Sequence, residues 1–128
     1  MKRVICTLLI LILLCLSGCS NLSPEQEEAY DCIKHELLCD DSGYSYDLLL
    51  ETLMHDYHFN QTDAIVAINA LNFTEEDWVN EAEKAVKLMM LDSDIEYSYD
   101  RLVHTLVKIY LFTPEQAEKA ADEFYGGK

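Results

Sequence analysis

The hydrophobic positions of the chain form one unbroken apolar run at the start and a helical pattern afterwards. The run from Val4 to Leu16 follows two basic residues and is shorter than the roughly 20 residues that a membrane-spanning helix needs. It predicts an export signal over residues 1–18, which is removed from the mature protein. Farther on, leucines stand four and eight residues after Ser45 and again after Ser98, which places them on one face of a helix. The mature chain is therefore predicted to be helical.

The export signal ends in a recognisable processing sequence. Residues 16–19 read Leu-Ser-Gly-Cys, which resembles the bacterial lipobox, where a leucine and two small residues precede a cysteine that is acylated on sulfur and becomes the first residue of the mature chain. The sequence predicts a lipid anchor on Cys19, an anchor segment over residues 19–22, and a protein held at the extracytoplasmic face of a bacterial cell membrane. The alternative is an ordinary secretory signal in which the cysteine is incidental.

The mature chain contains an internal repeat. The tetrapeptide Tyr-Ser-Tyr-Asp occurs at residues 44–47 and again at 97–100. At the same offset of 53, residues 23–71 and 76–124 share 16 identities over 49 positions without a gap. Convergent composition would not keep one register over this length, so the sequence predicts a tandem of two related repeats. The remaining predicted segments are a linker over residues 72–75 and a C-terminal tail over residues 125–128.

Each repeat reads as three helices that begin at capping residues. Ser45 and Ser98 are predicted N-caps, whose hydroxyls accept a backbone N–H of the next turn. A longer helix, a turn and two short helices then make up each repeat. Because a unit of 49 residues buries a marginal core by itself, the predicted fold class is all-α, with two tandem three-helix (helix-turn-helix-like) repeats packed into one small helical body. Further predicted caps are Ser23, Asn60, Thr74 and Thr113.

The charge of the chain restricts its partners. It carries 9 basic and 24 acidic residues, a formal net charge of −15. Loss of residues 1–18 removes two basic residues and leaves 7 basic and 24 acidic residues, a net charge of −17. Such a chain is predicted to bind no nucleic acid and to be repelled by anionic headgroups, so that the lipid alone holds it at the membrane. The predicted macromolecular partner is a basic protein.

The two repeats differ most in charge. The first has a net charge of −10, with 11 acids and one lysine, and the second has −7, with 12 acids and five basic residues. We predict that Asp31, Glu51 and Asp56 of the first repeat belong to a surface that docks the partner. The alternative is neutral variation of a solvated face. The residues that stand at these three positions in the second repeat are Lys84, His104 and Ile109.

No pattern in the sequence predicts catalysis or a cofactor. It contains no nucleophile elbow and no phosphate-binding glycine loop, and its four histidines lack the i, i+4 spacing of a strong zinc site. Beyond Cys19, the cysteines Cys32 and Cys39 are predicted to be half-buried thiols, with a disulfide as the alternative. The tyrosines that match between the repeats are interpreted mainly as packing residues, with a contact surface formed by some of them as the alternative. We therefore predict stoichiometric binding, with no catalytic residues, no metal and no cofactor.

The order of several features resembles one known family. In each repeat a serine is followed by leucines four and eight residues on, a phenylalanine precedes an alanine-bearing helix, and Asp77-Trp78 leads to Ala82 and Ala85 in the second. In this order the chain resembles the Ltp-like host-cell-surface-exposed lipoproteins of Gram-positive bacteria and their phages, which place tandem helical repeats after a lipobox. The resemblance implies superinfection exclusion, in which a surface lipoprotein blocks DNA injection by a second phage by binding the tape-measure protein of the incoming tail. The alternative is a structural or adhesive module of the host envelope that uses the same repeats.

Overall fold

Helix is the only regular secondary structure in the residues that the structure describes. The computed structural model describes residues 21–39, 41–92 and 94–126, and a π-helical turn, Ile33–Leu37, follows its first helix. None of the described helices combines the length and the apolar character needed to cross a membrane. The predicted export signal, Cys19 and the end of the predicted tail lie outside the described residues. The six α-helices, which confirm the predicted all-α class, are α1 Pro24–Cys32, α2 Tyr46–His55, α3 Gln61–Asn69, α4 Glu75–Met90, α5 Tyr99–Lys108 and α6 Pro114–Phe124.

The helices begin where the capping residues predict. At α4, the hydroxyl of Thr74 accepts the N–H of Asp77 at 3.2 Å, and the Asp77 carboxylate accepts the N–H of Thr74 at 2.8 Å. These bonds satisfy backbone donors for which a helix start offers no intrahelical acceptor. The predicted caps, all of which accept a backbone N–H three residues on, are Ser23, Ser45, Asn60, Thr74, Ser98 and Thr113.

The chain divides into two compact units. Within the described residues, unit 1 consists of residues 21–36 and 50–72, and unit 2 consists of residues 37–49 and 73–126. The units are defined by packing, whereas the predicted repeats are defined by sequence identity. The two divisions differ at residues 37–49, which belong to the first repeat by sequence and to unit 2 by packing. The packing of the repeats into one body stays a prediction.

The core of unit 2 is built from alanines on two helices and leucines on a third. Helix α6 packs against both α4 and α5. Leu102 and Leu106, the leucines predicted to face inward from Ser98, have no exposed surface. Their burial confirms the predicted apolar face of α5, and the small side chains on α4 and α6 let those helices approach closely. The core residues are Ala82, Ala85, Val86, Met89, Leu102, Leu106, Phe112, Ala117, Ala120 and Ala121.

Unit 1 is held together by a smaller apolar contact. Helix α1 packs against α3, and the side-chain amide of Gln26 donates to the Asp63 carboxylate at 3.2 Å near the start of both helices. Leu53, one of the leucines predicted to face inward from Ser45, is fully buried. The buried apolar residues of this unit are Ala29, Ile33, Leu53, Ala64, Ala67 and Ile68.

Local backbone geometry recurs at the offset of the sequence repeat. Helices α2 and α5 begin and end at matching positions. Beyond them, His58 and Leu111 both have a left-handed φ of 61°, a conformation that is uncommon outside glycine. The next residue in each case donates its N–H back into the helix, from Phe59 to Leu53 O at 3.0 Å and from Phe112 to Leu106 O at 3.1 Å. This geometry is compatible with a tandem duplication.

The two capping serines nevertheless have different surroundings. Ser45 is 1% exposed, and its hydroxyl also donates to the carbonyl oxygen of Tyr110 at 2.6 Å. Ser98 is exposed and accepts the N–H of Arg101 at 3.2 Å. Ser45 is therefore both a cap and a tertiary contact within unit 2.

This difference predicts unequal effects of one substitution at two matching positions. Ser98→Ala removes a cap and is expected to lower the free energy of unfolding by about 1 kcal/mol. Ser45→Ala also removes the bond to Tyr110 and is expected to cost about 2 kcal/mol. Chemical denaturation of both variants measures these losses. Equal losses would show that the buried bond contributes nothing.

Candidate docking surface

The three acids predicted to dock a partner all lie in unit 1. Asp31 stands near the end of α1 and is half-buried. Glu51 lies on α2 and Asp56 directly follows that helix, and both are exposed. Among the described residues, no hydrogen bond or ion pair joins any two of the three. Glu51 and Asp56 are thus exposed to solvent, and no bond among the described residues joins the three acids into one cluster.

Asp31 differs from Glu51 and Asp56 because its surroundings disfavour the charged form of its carboxyl. Burial raises the pKa of its carboxyl above the ordinary 3.8, the neighbouring Glu27 raises it further, and His35 lowers it in part. A raised pKa means that the folded protein holds this proton more tightly than the unfolded chain does. The resulting stabilisation is present below pH 3.8 and is lost as the pH rises through the folded pKa.

Asp31→Asn is therefore expected to stabilise the protein at neutral pH. The amide resembles the protonated acid and carries no charge that burial and Glu27 oppose. Denaturant titration at pH 7 is expected to show a small gain, within about 0.5 kcal/mol because the side chain is only partly buried and water still screens its charge. At acid pH, where the wild-type carboxyl is protonated, the gain should vanish. A loss of stability at pH 7 would contradict the assigned cause of the shift.

The matching positions of the second repeat also lie at the surface of their unit. Lys84 donates to Glu81 at 2.7 Å, His104 is exposed, and Ile109 is 67% exposed. Two of the three changes, Glu51 to His104 and Asp56 to Ile109, thus fall on exposed side chains, whereas Asp31 and Lys84 are half-buried.

A buried carboxylate that the sequence analysis did not single out fixes residues 37–49 to α4. Glu81 is 4% exposed and accepts the N–H of Tyr44 at 3.2 Å as well as the ammonium of Lys84. Beside it, the Gly43 backbone lies directly against that of Ala85. A charged residue on the inner face of a helix and a nearby glycine before a cap are weak sequence signals, because each is common alone.

The remaining polar candidates form no reactive centre. Cys32 is half-buried as predicted, whereas Cys39 is exposed and that part of the prediction is wrong, and neither cysteine forms a disulfide among the described residues. In the described ranges, no three histidine, cysteine or acidic side chains are grouped so that they could hold a metal ion. The surface features that distinguish the protein are its charge and its exposed side chains.

Compared with models of protein families, with curated proteins and with solved structures, the chain matches none. The resemblance to the host-cell-surface-exposed lipoproteins rests on the residues quoted for it.

Proposed function

We propose that the protein is a lipid-anchored surface protein that blocks DNA injection by a superinfecting phage. It does so by binding a basic component of the incoming tail, such as the tape-measure protein. The observation that carries the proposal is the acidic surface: the chain beyond the signal has a net charge of −17, and Glu51 and Asp56 are exposed on it. A surface of this kind attracts a basic polypeptide over a distance of about a Debye length and speeds their encounter.

The anchor and the charge act together in this proposal. Lipid on Cys19 confines the protein to the membrane that the phage DNA must cross. The same negative charge repels anionic headgroups, so the helical units face away from the bilayer and toward the incoming tail. Binding is stoichiometric and without turnover, because occupation of the tail component is itself the block.

A phage challenge tests the proposal. A Gram-positive host that displays the full-length protein is infected with a panel of phages, and adsorption and DNA delivery are scored separately. We expect normal adsorption and blocked DNA delivery for at least one phage. Cys19→Ala, which removes the acylated sulfur, should restore delivery at a matched protein level.

Two results would contradict the proposal. Normal infection by every phage would remove exclusion and leave the envelope module as the better function. Reduced adsorption would place the block at the receptor, before any tail component reaches the membrane.

A further inference from the structure

The two copies of Tyr-Ser-Tyr-Asp differ in the surroundings of their serine and second tyrosine within unit 2. In the first copy, the N–H of Tyr44 donates to the buried Glu81, and the ring of Tyr46 meets Trp78 edge-on at a centroid distance of 5.9 Å. In the second copy, Ser98, Tyr99 and Asp100 are exposed. Ser98 and Tyr99 are therefore exposed, whereas their counterparts in the first copy, Ser45 and Tyr46, are packed within unit 2.

Aromatic rings surround the exposed copy. The ring of Tyr99 lies 5.9 Å from that of Tyr125, which lies 5.1 Å from that of Phe124. Tyr99 is 37% exposed and Phe124 is 48% exposed. The hydroxyl of Tyr125 donates to the carbonyl oxygen of Tyr97, which ties the end of α6 to the start of α5. We call Tyr99, Phe124 and Tyr125 the aromatic patch.

Carboxylates border the aromatic patch. The hydroxyl of Tyr99 donates to Asp122 at 2.8 Å. This bond is the main reason that the pKa of Tyr99 lies above 10.0, followed by desolvation and by the charges of Asp122, Glu118 and Asp100. The rings therefore lie in a negative potential, which favours positive ligands.

A cation already lies beside an aromatic ring next to the patch. The guanidinium of Arg101 lies 5.4 Å from the centroid of the Tyr97 ring, within the range in which a cation is attracted to an aromatic face. Exposed aromatic rings next to carboxylates can hold an incoming arginine or lysine through the ring face and through a charge-assisted hydrogen bond.

We propose that the aromatic patch, with Asp100, Glu118 and Asp122, binds arginine or lysine side chains of a basic polypeptide. A second copy of this chain is a poor occupant, because it too carries a net charge of −17 without its signal. A helix that packs against the second copy in the way that α4 packs against the first is also excluded as the occupant. The position of Gly43, which allows that close approach, is held by Glu96 in the second repeat. The identity of the polypeptide as a phage tail component rests on the proposed function.

Peptide binding tests the patch directly. The mature chain, kept soluble by Cys19→Ala, is titrated with a short arginine–glycine repeat peptide and binding is measured by calorimetry. We expect Tyr99→Leu, which keeps an apolar side chain but removes the ring, to weaken binding roughly five-fold. Tyr99→Phe keeps the ring and should bind within about two-fold of wild type, since the ring face carries the attraction. Circular dichroism confirms that each variant is folded.

A matched pair of charge changes separates the patch from general attraction. Asp122→Asn and Glu36→Gln each remove one exposed negative charge, the first at the patch and the second in unit 1. Weaker binding for Asp122→Asn alone supports the patch. Equal losses for the two variants, equal binding by Tyr99→Leu and wild type, or no binding by wild type would overturn it.

The same variants separate failure of the patch proposal from failure of the proposed function, on which the identity of the partner rests. A protein that binds the peptide through Tyr99 but never blocks phage DNA overturns the proposed function and leaves the patch intact. If the protein blocks delivery of phage DNA but Tyr99→Leu binds the peptide as well as the wild type does, the patch is overturned and the proposed function is left intact.

Discussion

Gly43→Ala is expected to lower the free energy of unfolding by about 3 kcal/mol, at the upper end of the usual cost of overpacking. A Cβ atom at Gly43 would lie 2.5 Å from the backbone nitrogen of Ala85 and 2.7 Å from its Cα and Cβ. The helix backbone at Ala85 cannot retreat without disturbing the core of unit 2. The loop can retreat only by loosening the bonds that Tyr44 and Ser45 make to Glu81 and Tyr110. Chemical denaturation measures the loss.

Two controls sharpen this prediction. Gly126→Ala adds the same Cβ where nothing lies within 4 Å, at a φ of +89°, so it should cost only the conformational strain of about 1 kcal/mol. In the Gly43→Ala background, Ala85→Gly removes one of the three close atoms but leaves backbone nitrogen and Cα in place. Ala85→Gly itself costs about 1 kcal/mol in a helix interior, so the comparison is made with that single variant, in which Gly43→Ala should cost less than in the wild type but still destabilise. A Gly43→Ala variant as stable as wild type would contradict the close packing of residues 37–49 on α4.

Leu106→Ala is expected to cost about 3 kcal/mol of unfolding free energy, because it removes a fully buried side chain and leaves a cavity. Leu106 is 0% exposed and packs in the core of unit 2. Leu91→Ala makes the same chemical change at a side chain that is 79% exposed, and it should change stability by no more than about 0.5 kcal/mol. Thermal or chemical unfolding compares the two. Similar losses would contradict the assignment of α5's inward face.

Helix starts and inward faces could be predicted because they depend on neighbours in sequence. A cap such as Thr74 bonds to a residue three positions away, and the leucines of α5 lie one or two turns from Ser98. Capping chemistry and helical periodicity describe interactions at that range. For the same reason they predicted where the six helices begin.

The placement of residues 37–49 could not be predicted, because it depends on contacts between residues far apart in sequence. The bond from Tyr44 to Glu81 spans 37 positions and the bond from Ser45 to Tyr110 spans 65. Identical tetrapeptides carry identical local signals, so no periodicity could show that Ser45 is buried and Ser98 exposed. In retrospect the discriminating signal is Gly43, since the matching position in the second repeat is Glu96.

The candidate site was predictable in part. Comparison of the repeats selected Asp31, Glu51 and Asp56 because their counterparts differ in charge, and the structure places Glu51 and Asp56 in solvent. The partial burial of Asp31 depends on packing in unit 1, which the comparison does not contain. The aromatic patch could not be located from the sequence, because matching tyrosines do not show which of them pack and which form a contact surface. Exposure divides them, with Tyr46 against Trp78 and Tyr99 in solvent.

Two sets of variants with equal charge allow the docking surface to be separated from net charge. Both sets remove three negative charges from the anchored protein. The docking set replaces the predicted docking acids, as Asp31→Asn, Glu51→Gln and Asp56→Asn. The control set replaces three other exposed acids, as Glu36→Gln, Glu76→Gln and Asp94→Asn.

Exclusion through the docking acids is tested most directly by the rate at which phage DNA reaches the cytoplasm. The rate is compared between cells that display the wild type, the docking set or the control set at matched surface levels. We expect the wild type and the control set to block delivery, and the docking set to restore it with adsorption unchanged. If phage DNA enters cells that display the wild type as fast as it enters cells that lack the protein, exclusion is contradicted. A docking set that still blocks like the wild type would contradict the predicted surface.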